Sequence, residues 1–391
     1  MRRQKLPLKP FEWTYSCVKV HFGPSSEEAL RSYVKDYKKV VVVTGRAGAK
    51  SSGALKDVES ILNELGIQYL IYDRIVPNPP SSLAEDLARQ VSSYGGEALI
   101  AIGGGSTIDT AKVAAAIVSS GGTALDYLYG RRKAASCLPL FAVNLTHGTG
   151  SEVNRYANLT DVTRGDKLGN EVCYPKASFD DPRYTISMPK EQVICTTLDA
   201  LYHAYESATT VGSSPLVMTF SLEAVRRIRD NLPLAVERPN DEAPRYWLMY
   251  AAMLAGVAID LSPTNIIHQI ENIISGISPS LPHGCGLAII GPALAPLVHQ
   301  ASPEASSQII RTLDPSLSEV TPEAASKALA DFTRSAGFTK KLSDYGIGKD
   351  VLREAVRRAF SNPVVSERLR TRLGGVKINE QRLFEMLMTT L

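Results

Sequence analysis

Ala98-Leu99-Ile100-Ala101-Ile102, followed by Gly103-Gly104-Gly105-Ser106-Thr107-Ile108-Asp109-Thr110-Ala111-Lys112, is the stretch that decides the fold of this 391-residue chain. A short apolar run closed by glycines reads as a buried strand, and the segment from Ser106 to about Val118 reads as a helix. Glycines between them let backbone N–H groups approach a phosphate, and the helix N-terminus adds unpaired donors and positive potential. The stretch therefore reads as a diphosphate cradle, different from the Gly-x-Gly-x-x-Gly of the common dinucleotide fold. A glycine run alone would equally suit a tight turn with a serine cap. The ten-residue string is far less generic.

The same strand–helix alternation runs outward on both sides. Lys39-Val40-Val41-Val42-Val43 predicts a buried strand, and Gly53 to Leu65 a helix behind it with Leu55, Val58, Ile61, Leu62 and Leu65 on its apolar face. Further strands are expected at Ile67 to Tyr72 and Leu138 to Val143, with a helix through Leu83 to Ser92. This alternation predicts an α/β nucleotide-binding domain with a mostly parallel sheet. From about Ser187 long helical patterns take over, at Thr197–Thr210, Val217–Asn231, Tyr246–Ile259 and Asn265–Ser275. The expected division is an α/β domain over 1–187 and an all-α metal and substrate domain over 188–391, with the boundary near Met188-Pro189. Two cores suit this length, since single cores stop growing at ~250–300 residues.

Hydrophobic content of 44%, 21% charged residues and a net charge of +3 made of both signs are those of a globular chain, with no basic run that would ask for nucleic acid. No stretch approaches the ~18 consecutive apolar residues of a membrane span. The basic start Met1-Arg2-Arg3-Gln4-Lys5 lacks a following apolar core, so no secretory signal is expected. Five scattered cysteines (Cys17, Cys137, Cys173, Cys195, Cys285) fit reduced thiols in a cytoplasmic protein better than a disulfide framework.

Chemistry resides in the helical half. In Thr197-Leu198-Asp199-Ala200-Leu201-Tyr202-His203-Ala204-Tyr205-Glu206 the carboxylate of Asp199 and the imidazole of His203 lie four apart, on one helix face. Both can ligate one divalent cation, with Glu206 as a carboxylate to orient the His203 ring. His268 in an apolar helix and His283 in Pro282-His283-Gly284 complete a set of one carboxylate and three imidazoles, which suits Fe²⁺ or Zn²⁺. Singly, His268 reads as a core histidine and His283 as a loop residue. Their order behind the glycine cradle favours a site.

Together the Gly-Gly-Gly-Ser-x-x-Asp-x-Ala-Lys string, the Asp-Ala-Leu-x-His-Ala-x-Glu helix, the Pro-His-Gly loop and Gly148-Thr149-Gly150-Ser151-Glu152 resemble the iron-containing alcohol dehydrogenases, from about residue 15 to at least residue 300. The resemblance implies hydride transfer between a nicotinamide cofactor and an alcohol, aldehyde or ketone. It makes Asp199, His203, His268 and His283 the metal ligands, with Fe²⁺ favoured and Zn²⁺ the alternative. It places Gly104, Gly105, Ser106, Asp109, Thr146, Thr149, Ser151 and Lys167 around the nucleotide, and it implies a homodimer or larger assembly. Where much of the family has a second histidine near the substrate, this chain has Asn272, which can hydrogen-bond an alcohol but cannot shuttle its proton. His147 stands in an alanine position of the family; its ring either faces the nicotinamide cleft, where it could take over a proton role, or, as the favoured reading, is directed elsewhere. The turn after the first nucleotide strand, with Gly45, Arg46, Lys50, Ser51 and Ser52, carries no carboxylate to repel a 2′-phosphate, so NADP(H) is expected over NAD(H). Two related chemistries share the scaffold: a zinc polyol dehydrogenase of the glycerol type, and a lyase resembling 3-dehydroquinate synthase. The lyase would need a Lys/Arg cluster near the ligands, and none is legible. The mixed-charge tail beyond Val320, with Arg368, Arg370 and Arg372, reads as helical packing.

Overall fold

The computed structural model describes residues 18–391. In chain order the first half contains β1 (Lys19–Phe22), α1 (Leu30–Val34), β2 (Lys39–Gly45), α2 (Gly48–Ser51), α3 (Ala54–Glu64), β3 (Gln68–Ile75), α4 (Ser81–Tyr94), β4 (Ala98–Gly103), α5 (Gly105–Ser120), α6 (Ala124–Leu128), β5 (Leu140–Asn144), β6 (Tyr156–Asp161), β7 (Asp166–Glu171) and β8 (Ala177–Asp180). Six strands form one sheet in the order β1-β8-β5-β4-β2-β3, and every pairing in it is parallel. Val40, Val41, Val42 and Val43 are fully buried on alternating sides, as a strand covered by helices on both faces requires. On α3, Leu55, Val58, Ile61 and Leu62 are buried as expected, whereas Leu65 is 39% exposed because the helix ends at Glu64.

The strand order creates the binding crevice. From β2 the chain steps outward to β3, then crosses to the other side of β2 to form β4. The loops leaving the C-terminal ends of β2 and β4 therefore diverge from adjacent strands, with Thr44 beside Ile102. A switch point of this kind is where open α/β sheets bind ligands. It brings the Gly45-Arg46 turn and the Gly103–Gly105 turn to one edge. Between β5 and β8 the antiparallel hairpin β6–β7 departs from the sheet. Its polar residues, such as Asn158, Thr160 and Asp166, gave no strand pattern to read.

The second half is helical: α7 (Lys190–Thr209), α8 (Pro215–Glu237), α9 (Glu242–Leu261), α10 (Ile266–Ile277), α11 (His283–Ala301), α12 (Pro303–Leu313), α13 (Pro322–Ser335), α14 (Lys349–Ser361), α15 (Pro363–Arg372) and α16 (Glu380–Met388). Its core gathers apolar residues from α7 to α16. α7 is its central element, buried on nearly all sides from Val193 to Thr209. α11 has the length and apolar character of a membrane-spanning helix, but it is packed in this core against α7 and α13. One further point corrects the sequence reading. Cys195 in α7 and Cys285 in α11 form a disulfide, with Cα atoms 4.8 Å apart, although 90 residues separate them. Scattered positions suggested free thiols, yet packing of the two helices sets these cysteines side by side; Cys137 and Cys173 are free. Cys17 and the basic Met1–Lys5 start lie outside the described residues.

Candidate active site and metal centre

A cavity of about 400 Å³ lies between the sheet edge, the β6–β7 hairpin and the helical half. Gly105, Ser106, Asp109, Thr149, Ser151 and Lys167 line it from the α/β side; Asp199, His203, His268, Asn272 and His283 line it from the helical side. Gly104 and Thr146 adjoin it: a Cβ on Gly104 would stand 2.7 Å from Thr146 Cγ2, and one on Gly105 2.5 Å from Thr149 Cγ2. Larger residues would fill this cradle, which leaves the first N–H groups of α5 open to a phosphate. Gly45, Arg46, Lys50, Ser51 and Ser52 do not line the cavity; they lie at the end of β2 and on the turn and short helix that follow it. Asp109 is buried and accepts hydrogen bonds from Ser151 Oγ and the Asn158 amide, tying the cradle helix to the Gly148–Ser151 turn and the hairpin. Lys112, the last residue of the ten-residue string, donates to Ser151 Oγ at 2.8 Å and to the Tyr156 carbonyl at 2.7 Å.

Across the cavity, three imidazoles share one focus. Nε2 of His268, His203 and His283 lie 3.3, 3.5 and 3.9 Å from the same oxygen, Asp199 Oδ1. One ligand atom each from Asp199, His268 and His283 fall within 4.8 Å of one another. Helix periodicity sets Asp199, His203 and Glu206 on one face of α7. His268 comes from α10, which leaves α9 at a 100° bend. His283 opens α11, and Gly284 beside it is forced by close approach, since a Cβ there would collide with the Cys195 carbonyl of α7.

The electrostatics fit a cation at this focus. Burial alone would raise the Asp199 carboxyl, but the surrounding imidazoles outweigh it and hold the group well below the usual carboxylate range. Burial pushes His203 down to about 3, so it is a neutral donor. Burial also disfavours charge on His268, but Glu206 and Asp199 push it up to about 9. His203 Nδ1 is buried without a well-formed hydrogen bond.

Glu206 corrects an expectation. It does not orient His203; it receives Nδ1 of His268 and the backbone amides of Asn265 and Ile267 at 3.0 and 2.7 Å. The sharp bend before α10 turns the His268 ring toward the end of α7, and the α7 carboxylate fixes both bend and ring. Glu271, missed in the sequence, does the same for Nδ1 of His283 and lies 3.9 Å from Lys167 Nζ. A fully buried glutamate among Ile266, Ile267, Ile270, Ile273 and Ile274 was the available signal, since a buried charge needs a partner. By engaging Nδ1, both carboxylates turn Nε2 toward Asp199, where its lone pair becomes available to a metal once Nε2 is deprotonated. Glu206→Gln is therefore expected to weaken metal binding by about 10–100-fold, measured by competition with a chromogenic chelator; an unchanged affinity would contradict this role.

His147 is fully buried and points at Thr197 Oγ1 (2.9 Å) and Arg245 (3.3 Å), away from the cavity, and burial pushes it down to about 3. The missing basic cluster is a second correction. Lys167, Arg155, Arg368 and Arg372 all line the cavity, the last two from α15 in the tail read only as packing. The tail folds back over the site, a tertiary fact that no local pattern carries.

A parallel sheet with a phosphate cradle thus faces a buried Asp/His cluster on the helical half, an arrangement that can hold a nucleotide and a divalent metal in one cavity. Family models agree over nearly the whole chain: iron-containing alcohol dehydrogenase over residues 17–182, and the C-terminal part of the Fe-containing alcohol dehydrogenase family over 193–371. The chain belongs to the iron-containing alcohol dehydrogenase family. It is 36% identical to the long-chain primary alcohol dehydrogenase AdhA of Thermoanaerobacter ethanolicus over 356 residues, 88% of each chain. It is 28% identical to the NAD-dependent methanol dehydrogenase of Bacillus methanolicus, over 84% of this chain and 89% of that one. Among solved structures, the archaeal alcohol dehydrogenase ADH/D1 from a Red Sea brine pool superposes with a TM-score of 0.88 at 27% identity, covering 98% of this chain and all of that one.

Proposed function

We propose that the chain transfers hydride between NADP(H) and an alcohol or its aldehyde or ketone, with Asp199, His203, His268 and His283 holding a divalent metal, Fe²⁺ in preference to Zn²⁺. The observation that carries this reading is the convergence of three imidazole Nε2 atoms on one buried Asp199 oxygen, in the same cavity as the N-terminus of α5. A bound metal supplies Lewis-acid stabilisation of an alkoxide or carbonyl oxygen. The chain's own residues orient and enclose the reactants. Gly105 and Ser106 seat the diphosphate, while the hairpin and helical walls keep donor and acceptor together. Asn272 lies one helical turn beyond His268, and its Oδ1 is a buried acceptor with no partner, suited to receive a hydrogen bond from a substrate hydroxyl. An amide cannot carry that proton away, so proton release runs through another group or solvent.

NADP(H) is favoured by Arg46 and Lys50 at the β2 turn. The polyol reading draws on the tightest trio, Asp199, His268 and His283, which is a one-Asp, two-His set. His203 Nε2 is nevertheless closer to Asp199 Oδ1 than His283 Nε2 is, which supports four ligands. Comparing oxidation of glycerol with that of a primary alcohol by the metal-loaded enzyme separates the two; a strong glycerol preference would favour the polyol reading instead.

Metal uptake should depend on pH with a definite sign. His268 is pushed up to about 9, so below that value its Nε2 carries a proton that the metal must displace. Affinity is expected to fall by about tenfold for each pH unit from 8 down to 6, where one proton competes. Calorimetric titration in buffers of different ionisation enthalpy checks this by counting released protons. A pH-independent affinity would contradict it.

A further inference from the structure

Arg368 and Arg372 lie one turn apart on one face of α15, and both reach the wall of the active cavity. Their hydrogen-bond partners are all neutral. Arg368 donates to the Gly169 carbonyl at 3.0 Å and to Gln269 Oε1 at 3.4 Å; Arg372 donates to the Thr264 carbonyl at 2.7 Å. Neither has a carboxylate within ion-pair distance among the described residues. Arg370 between them, facing outward, pairs with Glu367. The other cations of the cavity are also matched: Lys167 by Glu271, and Arg155 by Glu171 and Asp260.

Holding two partly buried guanidinium groups side by side with no carboxylate in ion-pair contact is costly, and Glu206 acts on Arg372 only from beyond that distance. Burial lowers both, Arg368 to about 10, with the neighbouring Arg372 charge adding to its shift. The backbone and amide groups that hold them fix the two forks in place without neutralising them. Their anchors flank the metal-side reaction centre. Thr264 precedes α10, Gln269 follows His268 on that helix, and Gly169 belongs to the hairpin that carries Lys167. The diphosphate cradle, by contrast, is built on α5 and the turn after β5.

We propose that Arg368 and Arg372 form an anion subsite for the substrate, selecting aldehydes and alcohols that carry a second, anionic group (carboxylate, phosphonate or sulfonate) bound by the paired guanidinium groups. The subsite rests on the redox reading above and deepens it by naming the substrate class. Planar guanidinium forks suit such oxyanions.

The test compares 4-oxobutanoate with butanal, equal in chain length, in NADPH oxidation by metal-loaded enzyme. kcat/KM for the anion is expected to exceed that for butanal by about tenfold or more, with the difference in KM, as for loss of a charge-assisted contact. Arg368→Gln and Arg372→Gln should bring the ratio to within about threefold of one, and Arg372→Lys should retain part of the preference. Phosphonoacetaldehyde and sulfoacetaldehyde, set against acetaldehyde, then rank the anions. A second arm needs no turnover: 4-hydroxybutanoate should raise the melting temperature of the NADP-bound, metal-loaded protein more than butan-1-ol does. Equal kcat/KM for 4-oxobutanoate and butanal overturns the subsite. So does a rise confined to the KM for NADPH in the glutamine variants, which would assign the arginines to the cofactor. If neither aldehyde turns over, the redox reading fails, and the melting comparison still decides the subsite.

Discussion

Replacing Asp199 with alanine is expected to lower kcat/KM for aldehyde reduction by on the order of a thousandfold, equivalent to about 4 kcal/mol of transition-state stabilisation. Three imidazoles face a single oxygen of this side chain, so its removal deletes both a ligand and the charge that draws the cation in. The apo-protein should survive the change. Asp199 is buried among imidazoles, and Lys167, which also feels its charge, keeps Glu271, so alanine removes one carboxylate without stranding a permanent cation. Metal content by mass spectrometry, read beside steady-state rates, checks the claim. A variant that retains both metal and turnover would place the centre elsewhere.

A second large effect is expected at the β2 turn. No carboxylate occurs in the turn itself, but the fold brings one close: Asp73, in the adjacent strand β3, lies 4.0 Å from Lys50 Nζ. Both side chains are at least half exposed, so the pair contributes little to stability. Its importance is for recognition. On the NADP reading, Lys50 would add positive charge for a 2′-phosphate and mask an acid that would otherwise repel it and accept the ribose hydroxyls. Lys50→Ala removes the attraction and exposes the repulsion together. Combined with Arg46→Ala, it should shift the kcat/KM ratio of NADPH to NADH toward NADH by about a hundredfold, roughly 1.4 kcal/mol from each cation. Steady-state rates with both cofactors measure it. A native enzyme that prefers NADH, or a ratio unmoved by the double substitution, would contradict the NADP reading.

Much of this molecule is legible in its sequence because its signals are local. Val40 to Val43 and Ala98 to Ile102 are buried strands whose composition admits little else. Gly103 to Lys112 joins a strand to a helix by a turn that only small residues fit. Asp199 and His203 share a face by helix geometry alone. What escaped the sequence is relational. Glu206 lies three residues from His203 yet orients His268, because a bend between α9 and α10 carries that ring to the end of α7. Glu271 showed in the sequence only as a charge among isoleucines; its partner emerged once α11 placed His283 against α10. The Cys195–Cys285 bond and the Arg368–Arg372 pair likewise join segments far apart in the chain. The polar hairpin of residues 156–171 lacks the alternation that marks strands, although it roofs the cavity and supplies Lys167.

The most direct test of the central claim is an anaerobic titration of metal-free protein with Fe²⁺, and separately with Zn²⁺, following NADPH oxidation by butanal and 4-oxobutanoate at each addition. Activity should rise in proportion to added metal, level off at about one ion per chain as a single proposed centre requires, and be absent from Asp199→Ala at every addition. Full activity in the metal-free protein, or a plateau unaffected by loss of Asp199, would contradict the account.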